Sequence, residues 1–180
     1  MNRCWPNELL FDSPQRYQGF VRLIGEVQVD HPVRILALCL MPNHWHFILQ
    51  PTEDTQISKF IGVLTQTQAA RLRLDRGNVG AGPVYPRRYL AVHLPAELNA
   101  YRAIRYVERN PIKGGLRKRA EDWPYSSASL GLDASLVLSP WPSGRPRDWL
   151  AYINEEERPN ALAALRAQMY DTNGARRLRT

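Results

Sequence analysis

Two histidines stand two positions apart in the segment LALCLMPNHWHFILQP, and this spacing suits a shared metal ion. Side chains alternate across a β-strand, so His44 and His46 point to one face and Trp45 to the other. Imidazole nitrogens are common metal ligands, and two of them leave coordination positions open for a substrate oxygen. The alternative interpretation is a pair of ordinary histidines at the mouth of a hairpin. That alternative leaves two polar rings without a partner on an apolar hairpin, which is costly.

A tyrosine and an asparagine four positions apart in RAIRYVERNP form a second candidate group. Helical positions i and i+4 share a face, so Tyr106 and Asn110 present a phenol and an amide to the same spot. A tyrosine hydroxyl is a weak nucleophile, and a divalent cation bound to a phosphate makes the phosphorus a stronger electrophile. The alternative is that Tyr106 belongs to the core of an amphipathic helix and that Asn110 only ends this helix.

The elements that must position these side chains follow from hydrophobic periodicity and turn residues. Two apolar strands joined by a tight turn should form an antiparallel hairpin that carries the histidines. The predicted elements are helix 14–30, strands 33–41 and 44–50, helix 55–75, strand 84–94 and helix 95–110.

With a strand in front, this order is the βαββαβ pattern of an α+β, ferredoxin-like fold with an antiparallel sheet. The first strand is expected to be almost missing, because only Met1-Asn2-Arg3 are available for it. Residues 1–130 would form the domain that carries the candidate site. Residues 131–180 would form a C-terminal appendage with two helices, at 145–157 and 159–170, and a basic tail.

The composition limits the class of protein. A chain of 180 residues with 44% hydrophobic residues can form a core without a disulfide or a structural zinc. Cys4 and Cys39 are expected to be reduced thiols. No apolar run approaches the roughly 18 residues of a membrane span, and no signal peptide is recognisable, so we expect a cytoplasmic protein without a membrane partner. The net charge of +7 favours a polyanionic partner such as nucleic acid.

The motifs PNHWH, RYVERNPIKGGL and EDWPYSSAS, in this order, resemble those of the REP-associated tyrosine transposases. These proteins belong to a broader transposase group with a histidine-hydrophobic-histidine motif and a single tyrosine. The segment VYPRRYLAV is also similar to a strand of the family that carries tyrosine and arginine. The resemblance covers roughly residues 9 to 170.

The resemblance implies a site and a reaction. His44 and His46 would ligate Mg²⁺ or Mn²⁺, Asn110 would supply a third, amide-oxygen ligand, and Tyr106 would be the nucleophile. Tyr106 would attack a phosphodiester of single-stranded or REP-type hairpin DNA and form a 5′-phosphotyrosine link beside a free 3′-hydroxyl. This link conserves bond energy, so the strand can be rejoined without ATP. The family usually has a full strand before an N-R-G or N-R-C turn, whereas this chain starts at about that turn.

Basic and aromatic residues near the motifs are the candidate DNA contacts. Trp123 is expected to stack on unpaired bases. The alternative is that Trp123 and Tyr125 anchor their loop to the core. The oligomeric state is left open between a monomer and a homodimer. The expected phosphate contacts are Arg87, Arg88, Lys113, Arg117, Lys118 and Arg119.

Two other functions are compatible with these residues. One is a non-catalytic DNA-binding protein on the same scaffold, which the short first strand favours. The other is a metal-dependent hydrolase that uses the histidine pair without a covalent step. The hydrolase is the weaker hypothesis, because no carboxylate cluster accompanies the histidines and Glu108 points away from Tyr106 on the helix.

Overall fold

The computed structural model describes residues 1–53, 55–78, 80, 82–94, 100–129, 132 and 135–156. The helices and the hairpin predicted within the first 75 residues are confirmed, with two starts that shift by one residue. The elements are β1 (Asn2–Arg3), α1 (Pro14–Asp30), β2 (Arg34–Met41), β3 (His44–Gln50), α2 (Gln56–Asp75), α3 (Ala100–Glu108), α4 (Asn110–Lys113), a 3-10 turn (Ala120–Asp122) and α5 (Trp149–Asn154).

The sheet is antiparallel, and β3 lies at its centre between β1 and β2. A turn at residues 42–43 joins β2 to β3, so that Cys39 lies opposite His46. On the other side of β3, Arg3 of β1 lies opposite His44. The first strand has only two residues, as the sequence predicts.

The turn of the hairpin is held by the segment between β1 and α1. The carbonyl of Pro42 accepts hydrogen bonds from the backbone N–H groups of Leu10 at 2.8 Å and Phe11 at 3.0 Å. The carbonyl of Asn43 accepts one from the N–H of Cys4 at 3.1 Å. These bonds satisfy backbone groups that would otherwise be costly to bury, and they fix the turn relative to α1.

Helices cover both faces of the sheet. On the face of Trp45, α1 contributes Phe20, whose ring centroid lies 6.2 Å from the Trp45 ring. On the same face, Phe60 of α2 lies 6.5 Å from Phe47. Helix α3 packs against β2 and β3 on the opposite face, where Ile104 is fully buried. The ferredoxin-like α+β prediction is thus confirmed for the helices and the antiparallel sheet, with α3 as the extra helix, but the sheet of the described residues has three strands.

The outer edge of β2 is covered by described residues of segment 123–141. The indole N–H of Trp123 donates to the carbonyl of Leu40 at 2.8 Å, and that of Trp141 donates to the carbonyl of Leu36 at 2.7 Å. Two isolated backbone bridges add to this cover. The backbone of an edge strand therefore finds partners within the same chain.

The strand predicted over residues 84–94 is wrong, since the chain there is irregular. Two hydrogen bonds connect this segment to β1: the Leu90 N–H donates to the Met1 carbonyl at 2.8 Å, and the Met1 amine donates to the Leu90 carbonyl at 2.9 Å. The two-residue β1 offers few further partners for a ladder. Pro86 also lacks an N–H group to donate.

The predicted helix over residues 95–110 differs at both ends. Its residues 95–99 lie outside the described residues, and α3 is observed from Ala100. The helix does not stop at Asn110, because one further turn, α4, follows after a break at Arg109. Pro111 has no N–H for the carbonyl of Val107, one turn earlier, which explains the break.

The C-terminal part follows the prediction where it is described. Helix α5 is observed within the predicted range 145–157, and its residues Trp149 and Ile153 are buried in the common core. The helix predicted over 159–170 lies outside the described residues, and the domain boundary at residue 130 stays a prediction. No helix in the described part of the chain is both long and apolar enough to span a membrane.

Two glycines inside α1 allow a test of this packing. Alanine usually stabilises a helix relative to glycine by about 1 kcal/mol. An added Cβ at Gly19 meets nothing within 4 Å, whereas one at Gly25 overlaps the backbone carbonyl of Ser135. In chemical denaturation, we expect Gly19→Ala to raise the free energy of unfolding by roughly 0.5–1 kcal/mol and Gly25→Ala to lower it by about 1 kcal/mol or more. Equal stabilisation by both would contradict the close packing of α1 on Ser135.

Candidate active site

The hairpin brings the two histidines together on the face that α3 covers. The rings of His44 and His46 lie 5.1 Å apart, while Trp45 points into the aromatic cluster on the opposite face. Both histidine side chains are largely buried, with 9% and 6% of their surfaces exposed. The alternation expected from the sequence is therefore observed, and the two imidazoles share one pocket wall.

The outer nitrogen of His44 is oriented by its neighbours. The side-chain oxygen of Asn43 lies 2.7 Å from Nδ1 of His44, and it accepts a hydrogen bond from the tautomer that is protonated at Nδ1. The guanidinium of Arg3 lies 3.3 Å from the same nitrogen and adds positive charge. A hydrogen bond of this type leaves the lone pair on Nε2, the arrangement that orients metal-binding histidines.

Burial determines the protonation state of the pair. It lowers the pKa of His44 to about 4, and the charge of Arg3 adds to the effect. Burial also lowers the pKa of His46 well below its usual range, with a further contribution from His44. Both rings are therefore neutral at neutral pH, which is the form of imidazole that binds a cation.

Helix α3 places Tyr106 beside this pair. The Tyr106 ring lies 6.0 Å from the ring of His46, and 7% of the residue is exposed. The ammonium group of Lys113 lies 4.4 Å from the centre of the Tyr106 ring on another side. The phenol is thus enclosed between an imidazole and a cation.

Asn110 links the break after α3 to the site. Its side-chain amide nitrogen donates to the carbonyls of Tyr106 and Val107, both at 3.0 Å. The Val107 carbonyl is the one that Pro111 leaves without its helical donor. These bonds use the nitrogen and fix the plane of the amide, so the amide oxygen remains for other ligands.

The donor set is small. Among the described residues, no three His, Cys, Asp or Glu side chains cluster as metal ligands. A cation here would rely on His44, His46 and the oxygen of Asn110. Two neutral imidazoles and one amide oxygen suit a divalent cation, and the coordination positions that they leave open suit phosphate oxygens.

Glu108 fixes the helix that carries the tyrosine. Its carboxylate is fully buried and accepts hydrogen bonds from the hydroxyl of Ser127 at 2.6 Å and the indole N–H of Trp149 at 2.7 Å. Burial raises the pKa of Glu108, although these two hydrogen bonds act in the opposite direction. Glu108 faces away from Tyr106 as predicted, and it connects α3 to the segments around Ser127 and Trp149.

The candidate DNA contacts separate into two groups. Lys113 lies at the tyrosine, and Arg87, Arg88 and Lys118 are exposed away from regular elements. Arg117 and Arg119 are held in their own loop. Arg117 donates to the Asp122 carbonyl at 3.2 Å and lies over the Trp123 ring, and Arg119 forms a 2.6 Å ion pair with Glu121.

The expectation that Trp123 stacks on DNA bases is corrected by its burial. Only 7% of Trp123 is exposed, and its indole N–H is bonded to the carbonyl of Leu40. Its ring packs edge-on against Tyr17 and Tyr125. The alternative, in which the aromatic pair anchors the loop to the core, describes the observed contacts.

Three residues of the site were not among the sequence candidates for it: Arg3, Asn43 and Glu108. Asn43 precedes the histidine pair directly, so its position in PNHWH was a usable signal. Arg3 meets His44 only through the pairing of β1 with β3. Glu108 finds its partners 19 and 41 residues away in sequence, which no local pattern reveals.

The fold and this arrangement define a class: a ferredoxin-like domain with a paired-histidine strand and, on a covering helix, a tyrosine, Tyr106, beside the pair. The family model described as Transposase IS200 like matches residues 10–110, which is more than half of the 180 residues. The chain belongs to this family of IS200-like transposases.

Two individual proteins show the same relationship. A REP-associated tyrosine transposase of Haemophilus influenzae is 26% identical over 125 residues, which cover 64% of this chain and 70% of the relative. A solved structure, of a REP-associated tyrosine transposase bound to a REP hairpin, matches with a TM-score of 0.59 and 21% identity. That match covers 81% of this chain and 87% of the other, and it shows that the fold is shared. The resemblance stated from the sequence is confirmed.

Removal of the Glu108 carboxylate should destabilise the protein in a graded way. Glu108→Ala leaves the buried Trp149 N–H without its acceptor, removes the 2.6 Å bond of the Ser127 hydroxyl and creates a cavity, so we expect a loss of about 3 kcal/mol or more. Glu108→Gln keeps the volume and one acceptor oxygen, so we expect a loss of about 1–2 kcal/mol. Chemical denaturation measures both values. A loss below about 0.5 kcal/mol for Glu108→Ala would contradict this role.

Proposed function

We propose that this protein nicks and rejoins single-stranded DNA at REP-type hairpins through a 5′-phosphotyrosine intermediate on Tyr106. The observation that carries the proposal is the 6.0 Å contact between the Tyr106 ring and the ring of His46, within a pair of neutral histidines. Membership of the IS200-like transposases supports DNA as the substrate. The net charge of +7 is consistent with a polyanionic partner.

His44, His46 and Asn110 are the residues that would hold Mg²⁺ or Mn²⁺. When bound, the cation supplies Lewis-acid polarisation of the phosphate that is attacked. The bond from Asn43 orients His44, and burial keeps both rings unprotonated. The histidine ligands are thus oriented and unprotonated before the cation and the DNA bind.

The chemical step is a displacement at phosphorus. The Tyr106 oxygen forms the new bond, the bond from phosphorus to the 3′ oxygen breaks, the phenol proton passes to solvent, and the leaving oxygen takes up a proton as a 3′-hydroxyl. The Lys113 ammonium and the Arg3 guanidinium lie close enough to the site to stabilise the negative charge that develops. Attack of a 3′-hydroxyl on the phosphotyrosine reverses the step and releases Tyr106, so no ATP is required.

Hairpin DNA is the partner that the comparisons favour. The protein of similar fold was solved with a REP hairpin, and the described chain carries exposed cations at Arg87, Arg88, Lys113 and Lys118. Phosphate contacts from such residues give binding that weakens with salt. A protein that acts on chromosomal DNA would work in the cytoplasm, as expected from the sequence.

Covalent capture tests the nucleophile. Two versions of one hairpin oligonucleotide are used with Mn²⁺, one labelled at its 5′ end and the other at its 3′ end. Wild type should give a labelled protein–DNA adduct only with the 3′-labelled version, because Tyr106 stays attached to the fragment 3′ of the cut. Tyr106→Phe should lose this adduct while binding the hairpin with unchanged affinity, because only the hydroxyl is removed. Tyr101→Phe is the matched control, since Tyr101 lies on the same helix but bonds to the carbonyls of Ser143 and Gly144. Adduct formation by Tyr106→Phe would contradict the assignment, and binding without any wild-type adduct would favour the non-catalytic alternative.

Metal titration tests the ligands. In calorimetry with Mn²⁺, we expect His46→Ala to reduce the affinity by about 100-fold or more, because it removes a ligand, and Asn43→Ala to reduce it by about 10-fold, because it removes the hydrogen bond that orients the other histidine, His44. His31→Ala is the matched control, since His31 ends α1 just before the start of β2, whereas His44 pairs with Met41 at the other end of this strand. Unchanged Mn²⁺ binding in a folded His46→Ala variant would rule out this site.

A further inference from the structure

A cleft of about 150 Å³ lies on the described surface outside the histidine–tyrosine site. It is bounded by the segment after β1, by the C-terminal end of α2 and by Asn78 and residues 82–84 after this helix. Trp5, Glu8, Arg73 and Arg76 provide its ring and its charges. Its volume suits one planar base, and its lining combines an aromatic face with two cations.

Trp5 is a fixed and accessible ring. Its indole N–H donates to the carbonyl of Pro83 at 2.7 Å, and 43% of the residue is exposed. A tryptophan held at one edge presents its face without a further loss of side-chain freedom on binding. Aromatic faces of this kind stack on unpaired bases of any sequence.

The two arginines lie one helical turn apart on the same face of α2. Each is positioned by a backbone carbonyl: Arg73 donates to Gly82 at 3.0 Å, and Arg76 donates to Leu9. No carboxylate of the described residues forms an ion pair with either one. Two guanidinium groups with unused donors in a cleft match the oxygens of a phosphate.

The cleft and the histidine–tyrosine site are linked by the chain at β1. Trp5 is two residues from Arg3, whose guanidinium contacts His44, so the Cα atoms of Trp5 and Arg3 are at most about 7.6 Å apart. Because α2 lies on the face of the sheet opposite the histidines, a DNA strand bound at both places would pass around the edge strand β1.

We propose that this cleft binds one unpaired nucleotide of the single-stranded DNA that flanks the hairpin, with its base on Trp5 and its phosphate on Arg73 and Arg76. The inference rests on the proposed function, since it needs single-stranded DNA at the site.

The test compares one hairpin oligonucleotide with a single-stranded flank and one without it, by fluorescence anisotropy in EDTA, where no strand is cut. Trp5→Ala should weaken binding of the flanked hairpin by about tenfold and leave the blunt hairpin unaffected. Trp5→Phe should restore most of the affinity. An abasic residue is then placed at each position of the flank in turn. At one position it should weaken the binding of wild type as much as Trp5→Ala does, and combining it with Trp5→Ala should cause no further loss of affinity.

Charge is tested with a matched control on the same helix. Arg73→Gln and Arg76→Gln should each lower the salt dependence of binding by about one unit in the logarithmic slope for the flanked hairpin. Arg71→Gln removes the same charge from an arginine that is paired with Glu26 at 2.7 Å, and it should change the slope less. Two outcomes would overturn this inference alone. In the first, the variants lose equal affinity for flanked and blunt hairpins; in the second, Trp5→Ala loses no affinity for a flanked hairpin that wild type binds tightly. Failure of wild type to bind either hairpin would overturn the proposed function as well.

Discussion

The register of the β2–β3 hairpin is the constraint on which the site depends. Side chains alternate with a period of two, so a slip of one residue would bury His44 and His46 among the aromatic rings of α1 and α2. Trp45 opposes such a slip, because its large ring fills the space between the sheet and Phe20. The turn opposes it as well, because the Pro42 carbonyl is held by two backbone N–H groups from the preceding loop. The same packing that builds the core therefore selects the face on which the imidazoles lie.

The second constraint is the end of α3, which must bring a phenol to that face. Pro111 interrupts the helix, and the Asn110 amide takes over the carbonyls of Tyr106 and Val107 that lie around the break. Glu108 holds the same turn from behind through Ser127 and Trp149, which lie in distant parts of the chain. A buried carboxylate is costly, and its retention beside the site is consistent with a positioning role rather than with maximal stability.

Much of this arrangement can be predicted from the sequence. The features that the sequence does not reveal depend on contacts between distant parts of the chain and on the length of β1. Periodicity predicts the hairpin and the first two long helices, because their apolar faces are long and regular. The prediction of a strand over residues 84–94 was wrong because its partner, β1, has only two residues and Pro86 cannot donate a hydrogen bond. Trp123 was assigned to DNA although its N–H closes the edge of β2, a contact with Leu40, 83 residues away. Long-range partners of this kind, including those of Glu108, leave no mark in a local pattern.

In the proposed function, the hairpin and α3 together hold a single cation beside Tyr106. Anomalous diffraction from crystals of the Tyr106→Phe variant grown with Mn²⁺ and hairpin DNA measures this directly. We expect one strong anomalous peak from Mn²⁺, about 2.1 Å from a ring nitrogen of His44, a ring nitrogen of His46 and the amide oxygen of Asn110. A phosphate oxygen of the DNA should occupy a coordination position that these residues leave open. A Mn²⁺ peak that lies away from both histidines, with DNA bound at the site, would contradict it.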